Sequence, residues 1–443
     1  MKYHIITYGC QMNKSDSERI ESVLLSTGMQ KAEGPEEADV VIINSCSVRE
    51  SAEHRVMGQV HNLNLLKKQN PNLKIALTGC MPGRDKDGKI KTRLEEVDFY
   101  FPIFEMIKLP EWLGLKKADG EYLSIRPVNK DNHQAFVTIQ TGCEQFCTYC
   151  VVPYARGPEI NRPVKDILEE IKDLAQNGCV EVTLLGQIVN NYIAPDPKNF
   201  SKNNPYQKND FAKLLWEVNQ VDGIKRIHWT GPHPVYMTDE IIDALTLPNQ
   251  VNFLHLPVQS GSNEILRKMN RKHTREFYLD LIKKIKSKKP DIAIGTDIIV
   301  GFCGETEKDF QDTVDLYKQC DFDIAYLAQY SNRSGTAAAK AFKDDISHAE
   351  KEKRWFILQH LMEEIVMHKN QKFVGQTVSV LVDSCKDGVC VGNSSEMKMV
   401  SFSGDNSLIG KVVSVKIHEA MVWVLRGEIY DLNYKIQETN KFK

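Results

Sequence analysis

No stretch of the 443 residues approaches the roughly 18 apolar residues that a membrane-spanning helix needs. The N-terminus, MKYHIITYGC, has no basic stretch followed by an apolar one, so no secretory signal is expected. Charge of one sign is lacking too. The chain has 57 Lys and Arg against 59 Asp and Glu, so global basicity does not point to nucleic acid. No long internal repeat and no low-complexity segment is evident. What is left is an ordinary globular composition, 42% hydrophobic and 26% charged, long enough for two to four domains. A cytoplasmic protein without membrane contact is expected. Its eleven cysteines are then expected to be thiols, metal ligands or catalysts rather than disulfide partners.

The first third alternates strands and helices. YHIITYGC, ADVVIINSC and LKIALTGC read as strands ending at Cys10, Cys46 and Cys80. SDSERIESVLLSTGM and SAEHRVMGQVHNLNLLKKQNP read as the helices between them. Such a series gives a parallel sheet, whose strand ends share one edge. Three thiols 36 and 34 residues apart are thus expected to converge.

KADGEYLSIRPVNKDNHQ is polar and turn-rich, as a linker would be. A second α/β series follows, alternating about six times, which fits a complete or partial β/α barrel. AEKEKRWFILQHLMEEIVMHKNQKF reads as a long connecting helix. Short β runs with Gly and Asp turns then suggest a small antiparallel barrel. The expected fold class is α/β, with an N-terminal domain at 1–120, a linker at 121–132, a partial barrel at 133–365 and a terminal β-barrel at 366–435.

TGCEQFCTYC places Cys143, Cys147 and Cys150 at C-x3-C-x2-C spacing just after the first strand of the second series, on the face where such barrels do chemistry. A zinc ribbon would need a second close pair, and Cys179 is too far along to complete one. An iron–sulfur cube held by three thiolates leaves one iron open to a small chelating ligand.

This triplet, with Tyr149 before its last cysteine, resembles the radical S-adenosylmethionine (SAM) signature. TYGCQMN, NSCSVRE, TGC, TGCEQFCTYCVVPYARG, EVTLLGQ, LHLPVQSGS, TDIIVGFCGET and YSNRSGTAAA together resemble the methylthiotransferases, most closely the MiaB type acting on N6-isopentenyladenosine in tRNA. GQIVNNY departs slightly from that type's GQNVNSY. The resemblance spans nearly the whole chain and makes the last segment similar to the TRAM RNA-binding barrel. It implies two [4Fe-4S] clusters, one on Cys143, Cys147 and Cys150 that binds SAM, and an auxiliary one on Cys10, Cys46 and Cys80. It also implies a methylthio group placed at C2 of the adenosine beside the anticodon. One SAM would supply the methyl group and a second the 5′-deoxyadenosyl radical. The expected partners are a tRNA anticodon stem-loop, an electron donor such as flavodoxin or ferredoxin, and a sulfur donor, with the chain as a monomer.

Gly186, Gln187 and Ser260 end expected barrel strands and are candidates, with Tyr149 and Asp297, for contact with SAM or substrate. Glu305 precedes a helix, where capping is the plainer reading. His228, His233 and His255 read as hydrogen-bonded structural groups, Cys179, Cys303 and Cys320 as packed thiols, and Cys385 and Cys390 as free thiols flanking a turn. Two surfaces are candidates for RNA. One is the run from Arg267 to Lys289, with ten Lys and Arg against Glu276 and Asp280; the other is the terminal barrel with Phe402, Trp423 and Arg426. Competing functions are a methylthiotransferase for threonylcarbamoyl-adenosine or a ribosomal-protein aspartate, and a non-enzymatic iron–sulfur RNA-binding protein.

Overall fold

A computed structural model describes residues 1–47, 50–129 and 133–430. The first unit holds strands β1 (Lys2–Thr7), β2 (Gln30–Lys31), β3 (Val40–Ser45), β4 (Lys74–Gly79) and β5 (Phe99–Tyr100), all parallel, in the order β2-β1-β3-β4-β5. All six residues of β3 are buried, which is why its sequence is a continuous apolar run and not an alternation. Val40 and Ile42 pack on one side with Ile20 and Leu24 of helix α1 (Gln11–Ser26). Val41 and Ile43 pack on the other with Val56, Val60 and Leu63 of helix α2 (Glu50–Gln69). Helices α3 (Cys80–Arg84) and α4 (Leu109–Trp112) complete the unit. The expected linker does not begin as a free connector. Tyr122 is buried in the α1-side core, and its hydroxyl donates to Asp16 of α1. Positions 130–132 of that segment lie outside the described residues.

The second unit has six parallel strands. β6 (Gln134–Thr138), β9 (Glu181–Leu185) and β10 (Arg226–Thr230) form one sheet. β11 (Phe253–His255), β12 (Ala293–Val300) and β13 (Ile324–Gln329) form another, joined to β10 by the bridge between Ile227 and Gln250. Among the described residues β13 does not pair with β6, so the barrel is partial. A short ribbon, β7 (Gln140–Thr141) with β8 (Ile160–Asn161), brackets the cysteine loop and helix α5 (Val152–Arg156). The remaining helices are α6 (Val164–Gln176), α7 (Asp210–Asn219), α8 (Asp239–Ala244), α9 (Asn263–Lys268), α10 (Arg275–Lys288), α11 (Glu307–Cys320), α12 (Ala337–Ala341) and α13 (His348–Gln371). The barrel's main core draws on α6, α7, α8, α10, α11 and α13. Among the described residues no helix is long and apolar enough to cross a membrane.

The last unit is a closed barrel in the order β14-β15-β16-β18-β17, from β14 (Thr377–Lys386), β15 (Val389–Ser394), β16 (Met399–Ser403), β17 (Val412–Ala420) and β18 (Leu425–Ile429). Its pairs are antiparallel except β16 with β18, which is parallel, a departure from the expected all-antiparallel barrel. The expected end of this domain, near 435, lies outside the described residues. Cys385 and Cys390 are joined in a disulfide, against the expectation of free thiols. The cause is local. Asp387 and Gly388 both take positive φ in a two-residue hairpin loop, which sets the cysteines directly opposite each other. This barrel also closes the end of the partial barrel where its strands begin. Arg226, at the start of β10, donates to the Ser394 carbonyl at 2.9 Å, and Met397 packs with Val251, Phe253 and Ala293.

Candidate functional site

Cys10, Cys46 and Cys80 follow β1, β3 and β4, three adjacent strands, so the parallel order gathers them at one sheet edge. An asparagine pair fixes their spacing. The Asn13 amide donates to Asn44 Oδ1 at 3.1 Å and to the Ser45 carbonyl at 3.2 Å, and Asn13 Oδ1 accepts from Cys10 Sγ at 3.4 Å. Both asparagines are fully buried. Cys46 and Cys80 are buried and Cys10 is exposed. Burial pushes the Cys80 thiol up to about 11, against the pull of the Arg156 guanidinium; Cys46 and Cys10 also act on it. Cys10 and Cys46 thus both lie within electrostatic reach of the Cys80 sulfur.

Cys143, Cys147 and Cys150 sit on a loop clamped from both ends. Gly142 enters it at φ +76°, where a Cβ would stand 1.8 Å from the Pro158 carbonyl oxygen, so the chain can pass there only as glycine. The Cys143 amide donates to the Gly157 carbonyl at 3.1 Å. From the other side, the turn after α9 holds the middle of the loop. Thr148 donates through its amide to the Met269 carbonyl and through its hydroxyl to the Lys268 carbonyl, at 3.0 and 2.8 Å. The Asn270 amide donates to the Gln145 and Phe146 carbonyls at 3.2 and 3.0 Å. Arg271 Nη1 donates to Cys147 Sγ at 3.5 Å. Burial raises the Cys143 thiol to about 11 and the Cys150 thiol to about 12. Such thiols stay protonated until a metal displaces the proton.

The two sets meet through one helix contact. Cys80 opens α3, and α5 begins two residues after Cys150. A Cβ on Gly83 of α3 would stand 2.2 Å from the Ala155 carbonyl oxygen of α5. Beside this contact Arg156 Nη2 lies 2.6 Å from Asp16 Oδ2, both side chains buried, and Asp16 also accepts from Tyr122. Further out, Glu50 accepts from Ser331 at 2.6 Å and Arg84 donates to the Ser334 carbonyl at 3.0 Å.

Each set offers three thiols, the donor type of an iron–sulfur cube. Each set also has one arginine beside it with a buried, unsatisfied nitrogen, Arg156 Nη1 and Arg271 Nε. A buried N–H without an acceptor is costly, and a thiolate-bound cluster supplies acceptors.

The other expected residues spread out. Asp297 of β12 stands near Tyr149, and its Oδ2 lies 3.2 Å from His255 Nε2. The Tyr149 ring packs on the small core of Ile265, Met269 and Phe302. Gly186 lies against Gln140, whose Oε1 accepts from the Ile188 amide at 3.1 Å; Gln187 is half-buried beside it. Ser260 is fully buried, with its hydroxyl 3.3 Å from Thr313 Oγ1 of α11, and so braces a helix. Glu305 is not a cap. Thr306 caps α11, while the Glu305 carboxylate accepts from the Gly301 amide and pairs with Arg354, both at 2.7 Å.

His228 and His233 are buried and held neutral, at about 3 and about 2. Cys179, Cys303 and Cys320 are buried. About half of the basic run is ion-paired. Arg267 pairs with Glu264, Arg275 with Asp315, Lys283 with Asp280, Lys284 with Asp239 and Lys288 with Asp243. Phe402 is in the terminal barrel's core, which leaves Trp423, about half exposed, as that barrel's aromatic candidate. Asn13, Asn44, Asn270 and Arg271 were not among the expected site residues. Asn13 and Asn44 stand inside the TYGCQMN and NSCSVRE motifs, which was the available signal.

Residues 2–102 match the family described as uncharacterized protein family UPF0004, residues 137–317 the radical SAM superfamily, and residues 371–430 the TRAM domain. The chain is 42% identical over 451 residues to the tRNA-2-methylthio-N(6)-dimethylallyladenosine synthase of Thermoanaerobacter sp. (strain X514), covering 97% of this chain and 93% of that one. It is 41% identical to the protein of that name from Clostridium novyi (strain NT), covering 97% and 96%. Among solved structures, the apo form of the cobalamin-dependent S-adenosylmethionine radical enzyme OxsB aligns with a TM-score of 0.51 at 10% identity. The alignment covers 80% of this chain and 56% of that one, a likeness of fold alone.

Proposed function

The chain belongs to the radical SAM tRNA methylthiotransferases, and on that premise we propose that its two three-cysteine sets divide the reaction between them. The reaction is insertion of a methylthio group at C2 of N6-isopentenyladenosine (the dimethylallyl form) in tRNA, with SAM and two [4Fe-4S] clusters as cofactors. Cys143, Cys147 and Cys150 would hold the cluster that binds SAM. Cys10, Cys46 and Cys80 would hold the cluster that carries sulfur. When bound, these groups supply the 5′-deoxyadenosyl radical and the sulfur, chemistry that no side chain can provide.

The chain's own residues do the positioning. Asn13 and Asn44 hold Cys10 against β3, and Asn270 with Thr148 holds the second loop. The Gly83–Ala155 contact keeps the two sets adjacent, and this is the single observation that carries the division of labour. Asp297, half-exposed and oriented by His255, would accept a hydrogen bond from a ligand in the barrel mouth. Tyr149, Gly186, Gln187 and Ser260 would act by shaping the walls around it. Trp423 is an exposed aromatic on which an RNA base would stack.

A low-potential one-electron donor such as flavodoxin or ferredoxin, a sulfur donor, a monomeric state and the cytoplasm complete the reading. The test is anaerobic reconstitution with iron and sulfide. An isopentenylated anticodon stem-loop, SAM and dithionite are then added, and nucleosides are analysed by mass spectrometry. The expected products are 5′-deoxyadenosine and the 2-methylthio nucleoside. Absence of the first would refute the radical reading. Modification of threonylcarbamoyl-adenosine instead would move the substrate to the rival class.

A further inference from the structure

The guanidinium beside Cys147 differs from those beside the other set, where Arg84, which donates to Ser47 next to Cys46, is paired with Glu53 at 2.8 Å. Arg156, beside Cys80, is cancelled by Asp16 at 2.6 Å in a fully buried pair. Arg271 donates to Cys147 Sγ at 3.5 Å and to the Pro257 carbonyl at 3.1 Å, and among the described residues no carboxylate stands at ion-pair distance from it. Its other close neighbours are the Tyr149 ring and His233 and His273, both neutral through burial. Two acids stand in the same neighbourhood without pairing with it: Asp297, which acts on the Tyr149 ring and is itself 3.2 Å from His255 Nε2, and Glu159, which faces Cys143 and is held by the Asn191 amide at 3.2 Å. The turn carrying Arg271 is also fixed. Asn270 adopts φ +56° and bonds the cysteine loop, and the Arg271 amide donates to the Leu266 carbonyl at 2.8 Å.

An uncancelled positive charge beside a cluster ligand favours the state with one more electron, and net charge with hydrogen bonds to sulfur sets cluster potentials. We propose that Arg271 is a positioning residue that makes the Cys143–Cys147–Cys150 site easier to reduce than the Cys10–Cys46–Cys80 site, so that one electron from a low-potential donor goes to the former. The proposal rests on the assignment of a cluster to each set. The electron enters from the donor, which is oxidised by one unit, and no proton moves. The auxiliary site is left oxidised while the SAM site is charged.

The test uses full-length protein with Cys10, Cys46 and Cys80 all replaced by Ala, reconstituted anaerobically and titrated with titanium(III) citrate while EPR follows the reduced cluster. Arg271→Gln should lower the reduced-to-oxidised ratio at fixed potential about tenfold, which is about 59 mV for one electron. Arg271→Lys should restore most of it, and Glu159→Gln should shift it the opposite way. All variants should bind the same iron. An unchanged potential in Arg271→Gln with iron retained overturns the proposal, as does loss of iron from both Arg271 variants, which would mark the arginine as a structural strut. If the triple-alanine protein itself binds no iron, the cluster assignment fails first and the proposal falls with it.

Discussion

Gly83 and Ala155 touch backbone to backbone. No side chain fits between α3 and α5, because a Cβ at position 83 would lie 2.2 Å from the Ala155 oxygen. This contact fixes how far the cysteine that opens α3 stands from the loop that precedes α5. Gly83→Ala is therefore expected to push the helices apart at a cost of about 1–3 kcal/mol. Iron content and 5′-deoxyadenosine formation should stay near normal, while methylthiolated product falls at least about tenfold, about 1.4 kcal/mol of barrier. The ratio of the two products in one assay reads this directly. An unchanged ratio would show that the spacing of the sets does not limit sulfur transfer.

Removing single thiols should separate the two roles. Cys147→Ala is expected to keep about half of the iron and lose SAM cleavage. Cys46→Ala should keep reductive SAM cleavage and lose methylthiolation, as the proposed assignment of the sulfur-bearing cluster to its set requires. Iron analysis with product quantification checks both. Product from Cys46→Ala, or cleavage by Cys147→Ala, would contradict the assignment.

Asp16 is the hub between the first two units, bonded to both Arg156 and Tyr122. Asp16→Asn leaves a buried guanidinium without its counter-charge, at an expected cost of about 3–5 kcal/mol. Thermal unfolding should show a lowered midpoint. Adding Arg156→Met should recover part of the loss, since the stranded charge is then gone. A double variant no more stable than the single one would mean that the loss comes from packing.

Trp423, about half exposed on the turn between β17 and β18, is expected to stack on an RNA base. Trp423→Ala should weaken anticodon stem-loop binding by about 1–3 kcal/mol. Cleavage of SAM without RNA should be unaffected. Binding isotherms at fixed salt decide it, and unchanged affinity would move the RNA surface elsewhere.

The sheet edge that gathers Cys10, Cys46 and Cys80 was legible because each follows an apolar strand, and parallel strands end together. The C-x3-C-x2-C loop was legible because its ligands are local. What pairs across long separations was not. The Asp16–Arg156 bond spans 140 residues, and nothing in either segment names the other. Tyr122 looked like linker because the segment around it is mostly polar and turn-rich, yet its ring, with Leu123 and Ile125, packs on the α1-side core. The contact of Ser260 with Thr313, 53 residues away on α11, was likewise not legible. The partners of Arg275, Lys284 and Lys288 in the basic run, Asp315, Asp239 and Asp243 on other elements, were not legible either. The Cys385–Cys390 pair was written in its Asp-Gly turn, a hairpin signal that outweighs the general expectation of reduced thiols.

Met397 and the Ser394 carbonyl seat the terminal barrel in the floor of the partial one, at the end opposite the cysteines. A module tethered by a loose chain would sample many distances from the cysteines. One socketed in this way holds a fixed distance from them, with its zero mark at Met397.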